Sequence, residues 1–189
     1  MKFDYHVILA CSIVLLISLQ YLLLSISFHE MTIRIVGNNP MMAMFGNINN
    51  ATLFVFPIMV FGFLVVSVKL MLDFFDIIAL SSRDIIIIVG YSLIPVLLGM
   101  CFYNVSVVFF MQENPRTLEE IEVLHFLFGL QIKDFAFINQ VRWLMMYYLI
   151  WVALYFKHKV SLIRSLSISV LPSLLFLLFS NMIKYFSHV

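Results

Sequence analysis

The chain has 189 residues, of which 63% are hydrophobic and 11% charged, with a mean hydropathy of +1.08 and a formal net charge of +1. A soluble domain carries roughly 25% charged residues, and half that fraction cannot coat a surface facing water, so a water-soluble fold is excluded. The near-neutral balance, without clusters of Lys and Arg, also excludes nucleic acid as a partner.

Five runs reach the roughly 20 apolar residues that a spanning helix needs. They cover residues 7–28, 53–72, 85–111, 135–156 and 160–186. An isolated strand cannot satisfy its backbone in lipid, and a barrel would show short alternating segments instead. The expected fold class is therefore an all-α integral membrane protein. It is a single membrane domain over residues 1–189, a bundle of five transmembrane helices.

The first run opens like a signal peptide, but it is about 22 residues long, against roughly 7–15 for an h-region, and no A-x-A site follows. It reads as a retained span. Residues 29–50 are polar and rich in Asn and Gly, with turn signals near Gly37 to Pro40 and Gly46 to Asn50. They read as a connection holding a short re-entrant or interfacial piece around Met41 to Phe45. Asn50-Ala51-Thr52 matches a glycosylation sequon. Pro57, Pro95 and Pro172 each remove an intrahelical hydrogen bond and predict kinks.

The connection from Asp73 to Asp84 is short and charged. Residues 113–134 form the longest acidic segment. Thr117 and Glu120 have capping-box spacing, and Ile121, Leu124, Leu127 and Phe128 recur at helical spacing. That pattern predicts a short amphipathic interfacial helix between the third and fourth spans. Lys157 and Lys159 mark a tight basic turn. Lys2, Lys69, Arg83, Lys157, Lys159 and Arg164 fall on one side, and Arg34, Arg116, Lys133, Arg142 and Lys184 on the other. The basic turn decides a weak positive-inside bias, placing the N-terminus in the cytoplasm and the C-terminus outside.

Two groups of residues are candidates for function. Lys69, Asp73 and Asp76 stand at i, i+4 and i+7, one helical face, with Arg83 and Asp84 just beyond. They read as a docking face for a partner, or as interfacial ion pairs of little energetic weight. Gly90, Tyr91, Ser92 and Pro95 interrupt the third run, where Tyr91 and Ser92 could restore the backbone bonding that Pro95 removes. Asn104 and Ser106 lie deeper, where polar side chains join helices by hydrogen bonds. Arg142 enters the fourth run with Asn139 and Gln140. It reads as an interface anchor that snorkels to the headgroups, or as a functional cation with Asp134 or Glu122 as its partner.

Cys11 and Cys101 lie in apolar runs without CxxC or Cys/His spacing and serve as small apolar residues. The histidines are scattered, and no nucleophile–base pair or ligand set appears. No cofactor or metal is expected, and no catalysis.

The segment VGYSLIP at residues 89–95 follows a short charged turn after the second span. It resembles the GYS-x-x-P signature region of the Yip1 family of five-span membrane proteins. YLIWVALYFKHK at 148–159 is similar to the family's fourth span leading into a basic turn. SLIRSLSISVLP at 161–172 looks like its small-residue entry into a fifth span. The resemblance covers residues 53–180. The chain lacks the Gly-rich turn before Arg83 and the soluble N-terminal region of the family's eukaryotic members, so their small-GTPase partnership is not carried over. What the resemblance implies is a non-enzymatic protein of membrane organisation or trafficking. In bacteria, similar proteins accompany ABC-type exporters as accessory subunits.

The sequence therefore leads to a non-catalytic inner-membrane protein that acts by association, with other membrane proteins or a second copy of itself. The alternative is a small transporter or channel subunit for a solute or lipid. Gln20, Ser92, Asn104, Ser106 and Asn181 would then line its path.

Overall fold

A computed structural model describes residues 4–37, 40–77, 80–110, 132–172 and 174. Helix α1 spans Tyr5–Val36, α2 Pro40–Phe74, α3 Ser82–Ser92, α4 Ile94–Phe110 and α5 Ile132–Val152. Helix α5 runs on into a π-helical turn, Ala153–Lys157, and α6 spans Leu162–Pro172. Among the described residues there is no strand. Three helical segments of the described residues, Tyr5–Ile33, Met44–Phe74 and Ser82–Val108, are long and apolar enough to cross a membrane. This is an all-helical membrane architecture. The expected amphipathic helix within 113–134 lies outside the described residues, apart from Ile132 to Asp134 at the start of α5, and so does the run 160–186 beyond Pro172, apart from Leu174.

The first two helices are much longer than the spans expected from hydropathy. At 32 and 35 residues they reach roughly 48 and 52 Å, against about 30 Å of hydrocarbon. The polar stretch 29–50 is therefore not a loop with a re-entrant piece. It is the end of α1 and the start of α2, separated at Gly37, whose φ of 92 suits glycine. The turn-forming residues are consumed by packing between the two helices. Ser25 Oγ donates to Asn50 Oδ1 at 2.5 Å, and Asn49 Nδ2 donates to Ser25 Oγ at 3.0 Å. Gly46 leaves room for the His29 ring, which lies against it. The sequon asparagine is thus half-buried inside a helix.

The third run forms two helices rather than one kinked helix. Ser81 and Asp84 make a capping box that starts α3. The chain breaks at Leu93, whose N–H bonds to the Gly90 carbonyl at 3.2 Å. Pro95 then sits in the first turn of α4, where a missing N–H is least costly. Ser92 Oγ donates to the Ile88 carbonyl at 2.7 Å, one turn before the carbonyl that Pro95 frees.

The core joins Ile17 of α1, Val68 and Leu72 of α2, Ile85 and Val89 of α3, and Met146 and Ile150 of α5, all nearly fully buried. Ile168 of α6 completes this cluster. Leu15, Leu16, Leu19 and Leu23 of α1 point outward and are about half exposed, as lipid-facing residues would be. Helices α1 and α3 approach closely where Gly90 meets Ala10: a Cβ on Gly90 would lie 2.9 Å from the Ala10 Cα. Buried Ser25, Ser92, Ser106, Ser165 and Ser169 follow the same small-residue logic of helix contact in lipid.

Candidate functional site

Two places gather polar groups, one at an end of the bundle and one within it. The end is formed by the start of α1, the end of α2, the start of α3, the π-helical turn and the start of α6. Asp4 caps α1 by accepting from the His6 N–H at 3.2 Å, and it also pairs with Arg83. Arg83 therefore ties α3 to α1. Its neighbour Asp84 is held by Ser81, which donates its N–H at 3.2 Å and its hydroxyl at 2.6 Å. Tyr91 does not serve the backbone near Pro95; its hydroxyl bonds to His6 Nδ1 at 2.9 Å.

Lys69 and Asp73 form an exposed i, i+4 ion pair at 2.8 Å. The expected third member of that face is displaced. Helix α2 ends at Phe74, and Asp76 sits in the turn beyond with φ 55. Lys157, Lys159 and Arg164 are exposed at the same end. His158 is half-buried beside Lys157 and within electrostatic range of Asp84. Burial, more than the Lys157 charge, pulls its pKa below the ordinary 6.5, and Asp84 opposes the shift. Its Nε2 has no hydrogen-bond partner among the described residues.

The second place is a half-open cavity of about 300 Å³ between α1, α4 and α5. Arg142 projects into it from the middle of α5. Asp134 is two turns away, about 12 Å along the axis. Arg142 Nε donates to Asn139 Oδ1 at 2.7 Å, and Nη2 donates to the Tyr21 hydroxyl at 3.2 Å. The same Asn139 oxygen accepts from Trp143 Nε1 at 3.1 Å, which fixes the amide's orientation. Gly99 makes the position possible, since a Cβ there would come within 2.9 Å of Arg142 Cδ. Tyr103 adds a second hydroxyl-bearing ring to the lining. A guanidinium stays protonated in proteins, so this site presents a fixed positive charge and does not exchange protons.

The other polar residues of the apolar runs do not gather in this cavity. Asn104 Nδ2 pairs with Gln20, through its side-chain oxygen and, at 2.9 Å, its carbonyl. Ser106 Oγ donates to the Phe102 carbonyl at 2.8 Å, and Ser92 bonds within α3. Asn181 lies outside the described residues. Tyr21, Gly99 and Tyr103 were not singled out by sequence reasoning, and nothing local marks them. Among the described residues no three His, Cys, Asp or Glu side chains are close enough to hold a metal ion. Comparison with protein-family models, curated proteins and solved structures finds no match.

Proposed function

We propose that this chain is a five-span protein of the bacterial inner membrane, its N-terminus cytoplasmic, that acts by association with other membrane proteins and performs no chemistry itself. The observation that carries this reading is the convergence at one end of the bundle. Lys69, Asp73, Asp76, Arg83, Lys157, Lys159 and Arg164 share that end with Phe74 and Phe156, which are 77% and 67% exposed. Protruding aromatic rings anchor protein contacts, and charges at their rim set register and choice of partner. The resemblance of residues 89–95 to the Yip1 signature supports the same reading and extends it to membrane organisation or an accessory role beside a transporter.

The test is purification from native membranes in a mild detergent. A second membrane protein should accompany the wild-type chain in fixed ratio. The combined variant Asp73→Asn, Asp76→Asn, Arg83→Gln should lose it while remaining folded. A chain that runs as a bare monomer before and after substitution would end the proposal.

One observation favours the transporter reading, namely the cavity around Arg142. That reading gains nothing from Gln20, Asn104, Ser92 and Ser106, because the first two bond each other and the serines bond their own helices. It is therefore the second choice.

A further inference from the structure

We infer that the cavity between α1, α4 and α5 is a binding site for a phosphate-class oxyanion, with Arg142 as its charged ligand. The first support is the state of the guanidinium. Its hydrogen bonds go to neutral oxygens, Tyr21 Oη and Asn139 Oδ1. These hold the group in place without cancelling its charge. Arg carries five N–H donors in a planar fork, and these two bonds use two of them. Three donors remain unused among the described residues, and a guanidinium can grip two oxygens of one anion, the geometry for which Arg is suited over Lys.

The second support is the space that Arg142 lines. The cavity's volume of about 300 Å³ is at the lower end of small-molecule sites and accommodates a headgroup-sized anion. Tyr103 contributes a hydroxyl able to donate to the same anion. The rest of the wall is apolar, with Leu24, Met100 and Ile138 among its lining residues. A polar pole set against an apolar wall suits a lipid, whose phosphate would meet Arg142 while its glycerol and first methylenes meet the wall. A soluble phosphate would use the polar pole alone. The site is independent of the charged end of the bundle, so it stands whether or not that end docks a partner.

The third support is location. Arg142, Tyr21 and Gly99 all lie near the middle of their helices. An ionisable residue of an apolar bundle that faces a cavity marks a binding position or a pathway. An interface anchor would be placed near a helix end.

Native mass spectrometry on the full chain in an uncharged detergent tests this with three probes. These are phosphatidylglycerol, phosphatidylcholine of identical acyl chains, and inorganic phosphate. Wild type should retain phosphatidylglycerol over phosphatidylcholine, and Arg142→Gln should weaken that retention roughly tenfold, the scale of one lost charge-assisted contact. Arg142→Lys should fall between the two. Binding of inorganic phosphate that is lost in Arg142→Gln, without preference between the lipids, would assign the same site to a soluble oxyanion. If Arg142→Gln fails to fold, Tyr103→Phe should weaken retention a few-fold with the fold intact. Equal retention of both lipids with no phosphate binding, or retention indifferent to these substitutions, overturns the inference.

Discussion

The guanidinium of Arg142 and the hydroxyl of Tyr21, 121 positions apart in the chain, meet at 3.2 Å in the middle of α5 and α1. The bond joins two helices that are apolar over most of their length. Interhelical hydrogen bonds of this kind average about 0.6 kcal/mol in membranes and reach about 1.7. Tyr21→Phe removes the acceptor and should lower stability by about 0.5–1 kcal/mol in mixed-micelle unfolding. Arg142→Lys should cost more, because one ammonium cannot reach Tyr21 and Asn139 together as the fork does. Unchanged midpoints for both variants would mean that the contact is incidental.

Gly90 offers a test of packing that needs no polar group. A methyl there would meet the Ala10 backbone at 2.9 Å, and backbone cannot turn aside as a side chain can. Gly90→Ala should destabilise the protein by about 1–3 kcal/mol, the range for overpacked sites. Gly62 is the control, with nothing within 4 Å of a new Cβ. There Ala should stabilise α2 by up to about 1 kcal/mol through helix propensity. Paired unfolding curves decide it, and equal shifts in the two variants would contradict the close α1–α3 crossing.

How much of this was legible in the sequence depends on whether the deciding partner was near in the chain. Ser81 and Asp84 are three apart, so the start of α3 could be read directly, and the apolar length of α1 and α2 declared them spans. Gly90 was visible as an interruption of the third run, but Ala10 as the residue it packs against was not. The stretch 29–50 was misread because Asn49, Asn50 and Gly46 are turn formers by local propensity. Their helical state depends on Ser25 and His29 across the helix pair, which no local rule reveals. Arg142 was legible as a cation two turns from Asp134, but its surroundings were not. Tyr21 and Gly99, which bound its position at the cavity, are far from it in the chain. Asn104 was expected to join helices, and it does, but only the fold names Gln20 as its partner.

That pairing makes its own prediction. Asn104→Leu leaves the Gln20 amide without its partner in a half-buried position, which costs more than the bond itself was worth. The loss should be about 1–2 kcal/mol. Adding Gln20→Leu should recover part of it, because two apolar side chains then face each other. A double-mutant cycle reads the coupling directly. Strictly additive losses would show that the two amides do not interact.

The π-helical turn predicts a pH response. Burial lowers the pKa of His158 below its ordinary 6.5, with Lys157 adding to the effect and Asp84 opposing it. The folded chain therefore binds a proton at His158 less readily than the unfolded chain does. By linkage, stability rises with pH wherever the unfolded state holds more protons. The contribution is fully present above about pH 6.5 and declines as pH falls from there toward the lowered folded-state value, below which it is flat. Unfolding midpoints taken from pH 7.5 to about 5 should drop for wild type and drop less for His158→Gln, which cannot titrate. Asp84→Asn should steepen the wild-type decline, since it removes the carboxylate that favours the imidazolium, although it also weakens the capping box and lowers the curve at every pH. A His158→Gln profile parallel to wild type across this window would remove His158 as the source of the dependence.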